Sequence, residues 1–438
     1  MSTTSRYEVT APPGLAGVLS KVSGERMAAT VAALAAEEYA GRRVGSAGGA
    51  AARGWLQHQL AELGATFDVD PFPVPAVPEV YAAPHAQWSD GERMVPLAFG
   101  RQVAVPVASA DLPAPRRGSL GVAGADPPAG RWLLVPAGMS LPDAYRHAGA
   151  AAGLLQARGV DGDGWQYTML AGPTPGRLPV LALDPGTYAA MRHAAGSEAD
   201  AWFAGSAPIR RVDVTAGNLY ARWPAPADRS AMPVLLTAHY DGVGDLPGLR
   251  QPAAADNASG VAVLLEAARV LAAAPPARLA LSVALLDGEE VGALGSARHA
   301  ARLRSHAARP RNPAPRPWVI NVDGAGQLHG AVAVEAGGPA EPLLSGLDQA
   351  GRHAGVPLAA GPVASDNRRY AAAGLPAVGL GAGMAAVGLG AGMAAYHSPA
   401  DLPERVEPAA MVAVARLVVA SVWLAATDRG TISIVNRR

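Results

Sequence analysis

The chain has 438 residues, half of them apolar, and its 36 basic residues balance 36 acidic ones. Zero net charge gives no electrostatic case for nucleic acid or an anionic membrane as a partner. The lack of cysteine excludes disulfides, a thiol nucleophile and thiolate metal sites, so any metal must be held by His, Asp and Glu. A chain of this length exceeds one ordinary core, and two domains are expected. Residues 1–20 show no basic start followed by an apolar run. The expected location is therefore cytoplasmic, or secreted if the start codon is misassigned.

Residues 25–39 carry Met27, Val31 and Leu34 at helical spacing, and 41–46 break that pattern. A second helix is expected over 47–63, with Trp55, Leu56, Leu60 and Leu63 as its apolar stripe and Gly64 as its C-cap. Phe67 to Val69 reads as a strand. Pro71, Pro73, Pro75, Pro78 and Pro84 then mark a crossing into a region of shorter pieces that lasts to about Arg211. Strands are expected there at 132–135 and 178–183, with helices at 141–148 and 185–193. Beyond it the α/β rhythm strengthens. The strand 233–238 runs into His239-Tyr240-Asp241-Gly242, and a Gly/Pro-rich loop leads to Asp256 and a helix over 261–274. The strand 279–286 ends in Asp287-Gly288-Glu289-Glu290. The strand 318–322 ends at Asp323-Gly324. Further strands are expected at 331–334 and 376–380. The last helix, 409–427, contains Arg416 and reads as a buried terminal helix rather than a membrane span. Residues 377–385 are repeated without change as 386–394, just before Tyr396-His397. The second copy reads as a looped-out insertion or as an alternative register for the same strand.

Open α/β sheets bind ligands at the carboxyl ends of their strands. Four such positions carry acid or imidazole groups here: His239, Asp256, Glu289-Glu290 and Asp323. Tyr396-His397 supplies a fifth point. Singly, each has a plain structural reading. Asp256 suits a helix N-cap, Asp323 a turn before glycine, and Glu289-Glu290 an acidic helix start. Together they form a nitrogen-and-oxygen set suited to zinc, manganese or cobalt. The set is too rich for one tetrahedral site and fits two ions about 3.5–4 Å apart.

The motifs His239-Tyr-Asp241, Asp256-Asn-Ala-Ser-Gly260, Glu289-Glu-Val-Gly-Ala-Leu-Gly-Ser296, Asn321-Val-Asp323, Ser365-Asp366 and Tyr396-His-Ser-Pro-Ala-Asp401 are similar, in order and spacing, to those of the co-catalytic di-zinc aminopeptidase family. That family includes secreted bacterial leucyl aminopeptidases, with glutamate carboxypeptidase II, the transferrin receptor ectodomain and glutaminyl cyclases as relatives. Gly130-Arg-Trp-Leu-Leu-Val135 and Ala148-Gly-Ala-Ala-Ala-Gly-Leu-Leu155 resemble a protease-associated domain.

The resemblance implies a three-layer α/β/α sandwich around a mostly parallel mixed sheet, with a β-rich protease-associated domain inserted. N-terminal peptidase helices would occupy 15–70, the inserted lid 71–211 and the di-zinc catalytic domain 212–438. It implies that His239 and Asp323 hold one zinc, Glu290 and His397 the other, and that Asp256 bridges both. Asp241 would orient His239, and Glu289 would be the general base acting on a metal-bridged water. Tyr396 would stabilise the oxyanion. The implied activity is a zinc-dependent exopeptidase with a peptide substrate, most simply an aminopeptidase. One alternative is a carboxypeptidase using Arg368 or Arg369 for the substrate carboxylate. Another is a binding protein impaired by the 377–394 repeat.

Overall fold

The computed structural model describes residues 13–158, 175–197, 200–226, 231–307, 316–383 and 395–427. An eight-stranded mixed sheet forms its frame. Across the sheet the strands run Thr66–Val80, Ile209–Arg222, Leu279–Leu286, Met232–His239, Trp318–Asp323, Ala377–Gly381, Val332–Gly337 and Leu358–Ala360. The four central strands, from Leu279–Leu286 to Ala377–Gly381, are mutually parallel. Their apolar runs are what burial on both faces demands. Register aligns His239 with Leu286, and Asp323 with Gly381. One carboxyl edge therefore collects His239, the 287–290 turn and Asp323.

Helices cover both faces, which makes the architecture three-layered. Gly24–Leu34, Ser259–Ala273, Glu341–Ala354 and Pro408–Thr427 share one core with alternate strand residues such as Leu236, Ile320 and Val378. Leu294–Ala307 and Asn367–Ala372 cover the other face, through Ala300 and Tyr370 against Leu235, Ala284 and Val319. Pro408–Thr427 is long and apolar enough to cross a membrane by length and composition. Here it is a core helix, with Leu417, Val418, Val419 and Ala420 fully buried.

A second eight-stranded sheet lies between the first two strands of the main sheet in chain order. Its strands span Ala86–Ser89 to Trp202–Ala207, and it packs around Trp132 and Phe203, whose rings meet edge to face at 4.9 Å. The change of texture at Pro71 does not coincide with the boundary between the sheets. Thr66–Val80 is one strand of the main sheet, paired with Ile209–Arg222 along nearly its full length. The prolines are accepted because this strand is the sheet's edge. Residues two apart point their amides the same way, so Pro71, Pro73 and Pro75 remove donors only from the side that has no partner. The expected boundaries at 71 and 211 thus move to the stretches 80–86 and 207–209.

The edge strand is also tied to the helix behind it. Asp70 accepts from Arg298 Nε and Nη2, both at 2.8 Å, and lies 2.7 Å from Arg302 Nη1. The Arg298 hydrogen bonds, with help from Arg302, hold the buried Asp70 carboxyl down at about 2. A depressed carboxylate adds stability above its unfolded pKa and loses it as pH falls towards the folded value. Asp70→Asn is therefore expected to cost about 1–2 kcal/mol near neutral pH, allowing for the partly exposed arginines. The cost should shrink between about pH 4 and 2, as urea unfolding at several pH values would show. A constant cost across that range would contradict the ion-pair account.

Candidate metal centre

His239 ends a buried central strand, with its Nε2 directed out of the sheet. That nitrogen is 3.3 Å from Asp256 Oδ1 and 3.4 Å from Asp323 Oδ1. Asp256 lies in the irregular turn 254–258 that opens the helix Ser259–Ala273. The N-cap reading of this residue does not hold, because the N-cap position of that helix is Ala258. The other oxygen of Asp256, Oδ2, is 3.1 Å from His397 Nε2, which is 2.9 Å from Glu290 Oε2.

Two ligand triads result, His239/Asp256/Asp323 and Asp256/Glu290/His397, and each keeps its ligand atoms within 4.8 Å of one another. His397 Nε2 makes no hydrogen bond despite these close oxygens, and the buried Glu290 Oε1 has no partner. Buried polar atoms left in this state cost free energy unless something else satisfies them. Atoms that converge in this way fit a common cation, and an all N/O set fits zinc.

Local chemistry sets each element. Gly288, at φ 74°, lets the chain leave the sheet sharply after Leu286. The Asp241 carboxylate then accepts the Glu289 amide at 3.1 Å and the Glu290 amide at 3.2 Å. His239 Nδ1 sits 3.2 Å from the Asp241 main-chain oxygen and 3.7 Å from its carboxylate. Asp241 thus holds the Glu289-Glu290 turn through its side chain and approaches the imidazole most closely through its backbone. Only the histidine contact was implied by the resemblance. Asn257 was quoted only as part of a motif, yet it locks the Asp256 turn to the Asp323 strand. Its Nδ2 donates to Val322 O, and its Oδ1 accepts from Gly260 N and Gly324 N. Gly260 is required there, since a Cβ would fall 2.2 Å from Asn257 Oδ1.

Burial alone disfavours charge on the imidazoles, but the surrounding carboxylates outweigh it and raise His239 and His397 well above their usual range. Burial would raise Asp256, yet the same two imidazoles push it below the usual carboxylate range. Glu289 belongs to neither triad and keeps part of its surface exposed. Burial, with Asp366 and Asp323 nearby, raises its carboxyl well above the ordinary range, against the favourable field of His239. Asp366, quoted only as part of a motif, is fully buried. Tyr396 stacks on His397 with ring centroids 3.6 Å apart.

The strand Ala377–Gly381 comes from the first copy of the nonapeptide. The second copy, 386–394, lies outside the described residues. Deleting 386–394 shortens the connection from Gly381 to Ala395 from thirteen residues to four without altering the strand or Tyr396-His397. The deletion protein is expected to bind zinc as the parent does. Loss of zinc on deletion would mean that His397 needs the longer connection.

Clustered carboxylates and imidazoles at the carboxyl edge of a parallel sheet, with a further carboxylate outside the two triads, fit a metal-dependent hydrolase. Residues 218–422 match the model of peptidase family M28. Solved structures share the fold over nearly the whole chain. The aminopeptidase from Aneurinibacillus sp. strain AM-1 is 19% identical with a TM-score of 0.67, over 94% of this chain and 96% of that one. A zinc aminopeptidase from Bacillus subtilis is 18% identical with a TM-score of 0.69, over the same shares. A peptidase M28 precursor from Shewanella amazonensis SB2B is 17% identical with a TM-score of 0.68, over 95% of this chain and 96% of that one. A search of curated proteins finds no match.

Proposed function

We propose that this peptidase is an aminopeptidase that uses two zinc ions. His239 and Asp323 hold one ion, Glu290 and His397 the other, and Asp256 serves both. The observation that carries this reading is the split Asp256 carboxylate, with Oδ1 facing His239 and Oδ2 facing His397. When bound, the zinc pair would supply Lewis acidity to a scissile carbonyl and lower the pKa of water towards neutral. Glu289 takes the proton from the attacking water and delivers it to the leaving amine, as a carboxylate outside both triads can. Tyr396, beside His397, donates to the developing oxyanion. The second sheet is read as a protease-associated lid that narrows access to the centre.

A carboxypeptidase needs an uncommitted cation beside the centre to receive the substrate carboxylate. Neither arginine considered for a carboxypeptidase is uncommitted. Arg368 Nε pairs with Glu335 at 2.7 Å, and Arg369 Nη2 donates to Gly292 O.

The test is hydrolysis of aminoacyl p-nitroanilides with zinc and after chelation, alongside N-acetylated versions of the same substrates. Turnover is expected only with a free amine and bound metal. Cleavage of acetylated substrates, or full activity after exhaustive chelation, would sink the proposal.

A further inference from the structure

Arg42 is 0% exposed, and none of its hydrogen bonds goes to a carboxylate. It follows Ala40 and Gly41, and all three residues lie in the left-handed region. This contorted exit drives the guanidinium inward. There it donates to four backbone oxygens: Leu34 at 2.6 Å, Tyr240 at 2.8 Å, Pro252 at 3.0 Å and Ala253 at 2.6 Å. Tyr240 is next to His239, while Pro252 and Ala253 lead directly into the Asp256 turn. On the other side of that turn, the buried Asp401 accepts the Ala255 amide at 2.7 Å and the Asp256 amide at 3.1 Å. Asp401 stands four residues after His397, in the same turn region.

The turn needs such support. Ala253 has φ 53°, a strained value for a residue with a side chain, and Asp256 and Asn257 have non-helical dihedrals. Regular secondary structure therefore does not fix the backbone that aims the shared carboxylate. The Pro252 and Ala253 carbonyls are held by the buried Arg42 guanidinium, and the Ala255 and Asp256 amides by the buried Asp401 carboxyl.

We propose that Arg42 and Asp401 are positioning residues that clamp residues 252–256 and so set where Asp256 stands between the two ion positions. Arg42 links the Asp256 turn to the His239 strand end, and Asp401 links it to the His397 turn. The inference rests on the reading of this centre as a zinc site.

The test measures zinc affinity of the full chain by competition with a chromophoric chelator, for the parent, Arg42→Met, Arg42→Lys and Asp401→Asn. Circular dichroism melts of the metal-free proteins run alongside. Arg42→Met and Asp401→Asn are expected to bind zinc about 10–100-fold more weakly, the usual loss when a residue that orients metal ligands is removed. Arg42→Lys should recover part of that loss, because an ammonium still reaches some of the carbonyls. A purely structural role would lower the metal-free melting temperature and leave zinc affinity unchanged, and that result in either folded variant overturns the clamp. If Arg42→Met does not fold, Asp401→Asn decides, since its side chain keeps the size of the aspartate. Failure of the parent itself to take up zinc would refute the metal-site reading rather than the clamp.

Discussion

Glu289→Gln is expected to lower kcat by about a hundred- to ten-thousand-fold while leaving zinc content unchanged, because a general base contributes a factor of that size. The two effects separate because Glu289 lies outside both ligand triads. Its main-chain amide, not its carboxylate, is the group held by Asp241, so the glutamine variant keeps the turn intact. The amide side chain fits the same space but cannot take a proton. The barrier should rise by about 3–5 kcal/mol. The measurement is kcat on an aminoacyl amide, together with zinc per chain by atomic absorption. Preserved turnover would remove Glu289 from the mechanism. Lost zinc would make it a ligand instead.

Asp256→Ala is expected to have the largest effect on metal content. Both triads contain this carboxylate, so its loss leaves each with two ligands, one of them a histidine. Asp323→Ala and Glu290→Ala each remove a ligand from one triad only. Zinc per chain after dialysis should therefore fall to nearly none in the first variant and to about half in the other two, if a three-ligand site retains its ion. Stability should report the same change. A ligand present at about a hundred times its Kd stabilises the folded state by about 2.7 kcal/mol, and that zinc-dependent gain should vanish in Asp256→Ala. An Asp256→Ala protein that still melts higher with zinc would show that the ions do not share this carboxylate.

The ligand-bearing strands were legible because they are buried on both faces. Leu279–Leu286 has the bounds that its apolar run predicts, and Trp318–Asp323 and Ala377–Gly381 fall within a residue or two of expectation. The proline-rich edge strand was not legible as a strand. Proline is a poor strand former in isolation, and only its place at the edge, with nothing beyond to accept a bond, makes it tolerable. The helix Glu341–Ala354 was also missed. Its middle holds Gly346 and its last turn Gly351, and glycine weakens a local helical signal.

The sequence by itself determined the chemistry of the centre. Six short motifs name the imidazoles and carboxylates, the absence of cysteine restricts the donors to nitrogen and oxygen, and a polar group at the end of an apolar run is placed at the sheet's carboxyl edge. Tertiary structure decided which ligand faces which, since parallel register brings His239 to Asp323 across 84 residues. It also decided what holds the ligands. Arg42, Asp401, Asn257 and the Asp241 carboxylate bond chiefly to backbone amides and carbonyls. Those groups are the same in nearly every residue type, so a sequence carries no mark of the partner. Only the folded path of the chain brings the two together.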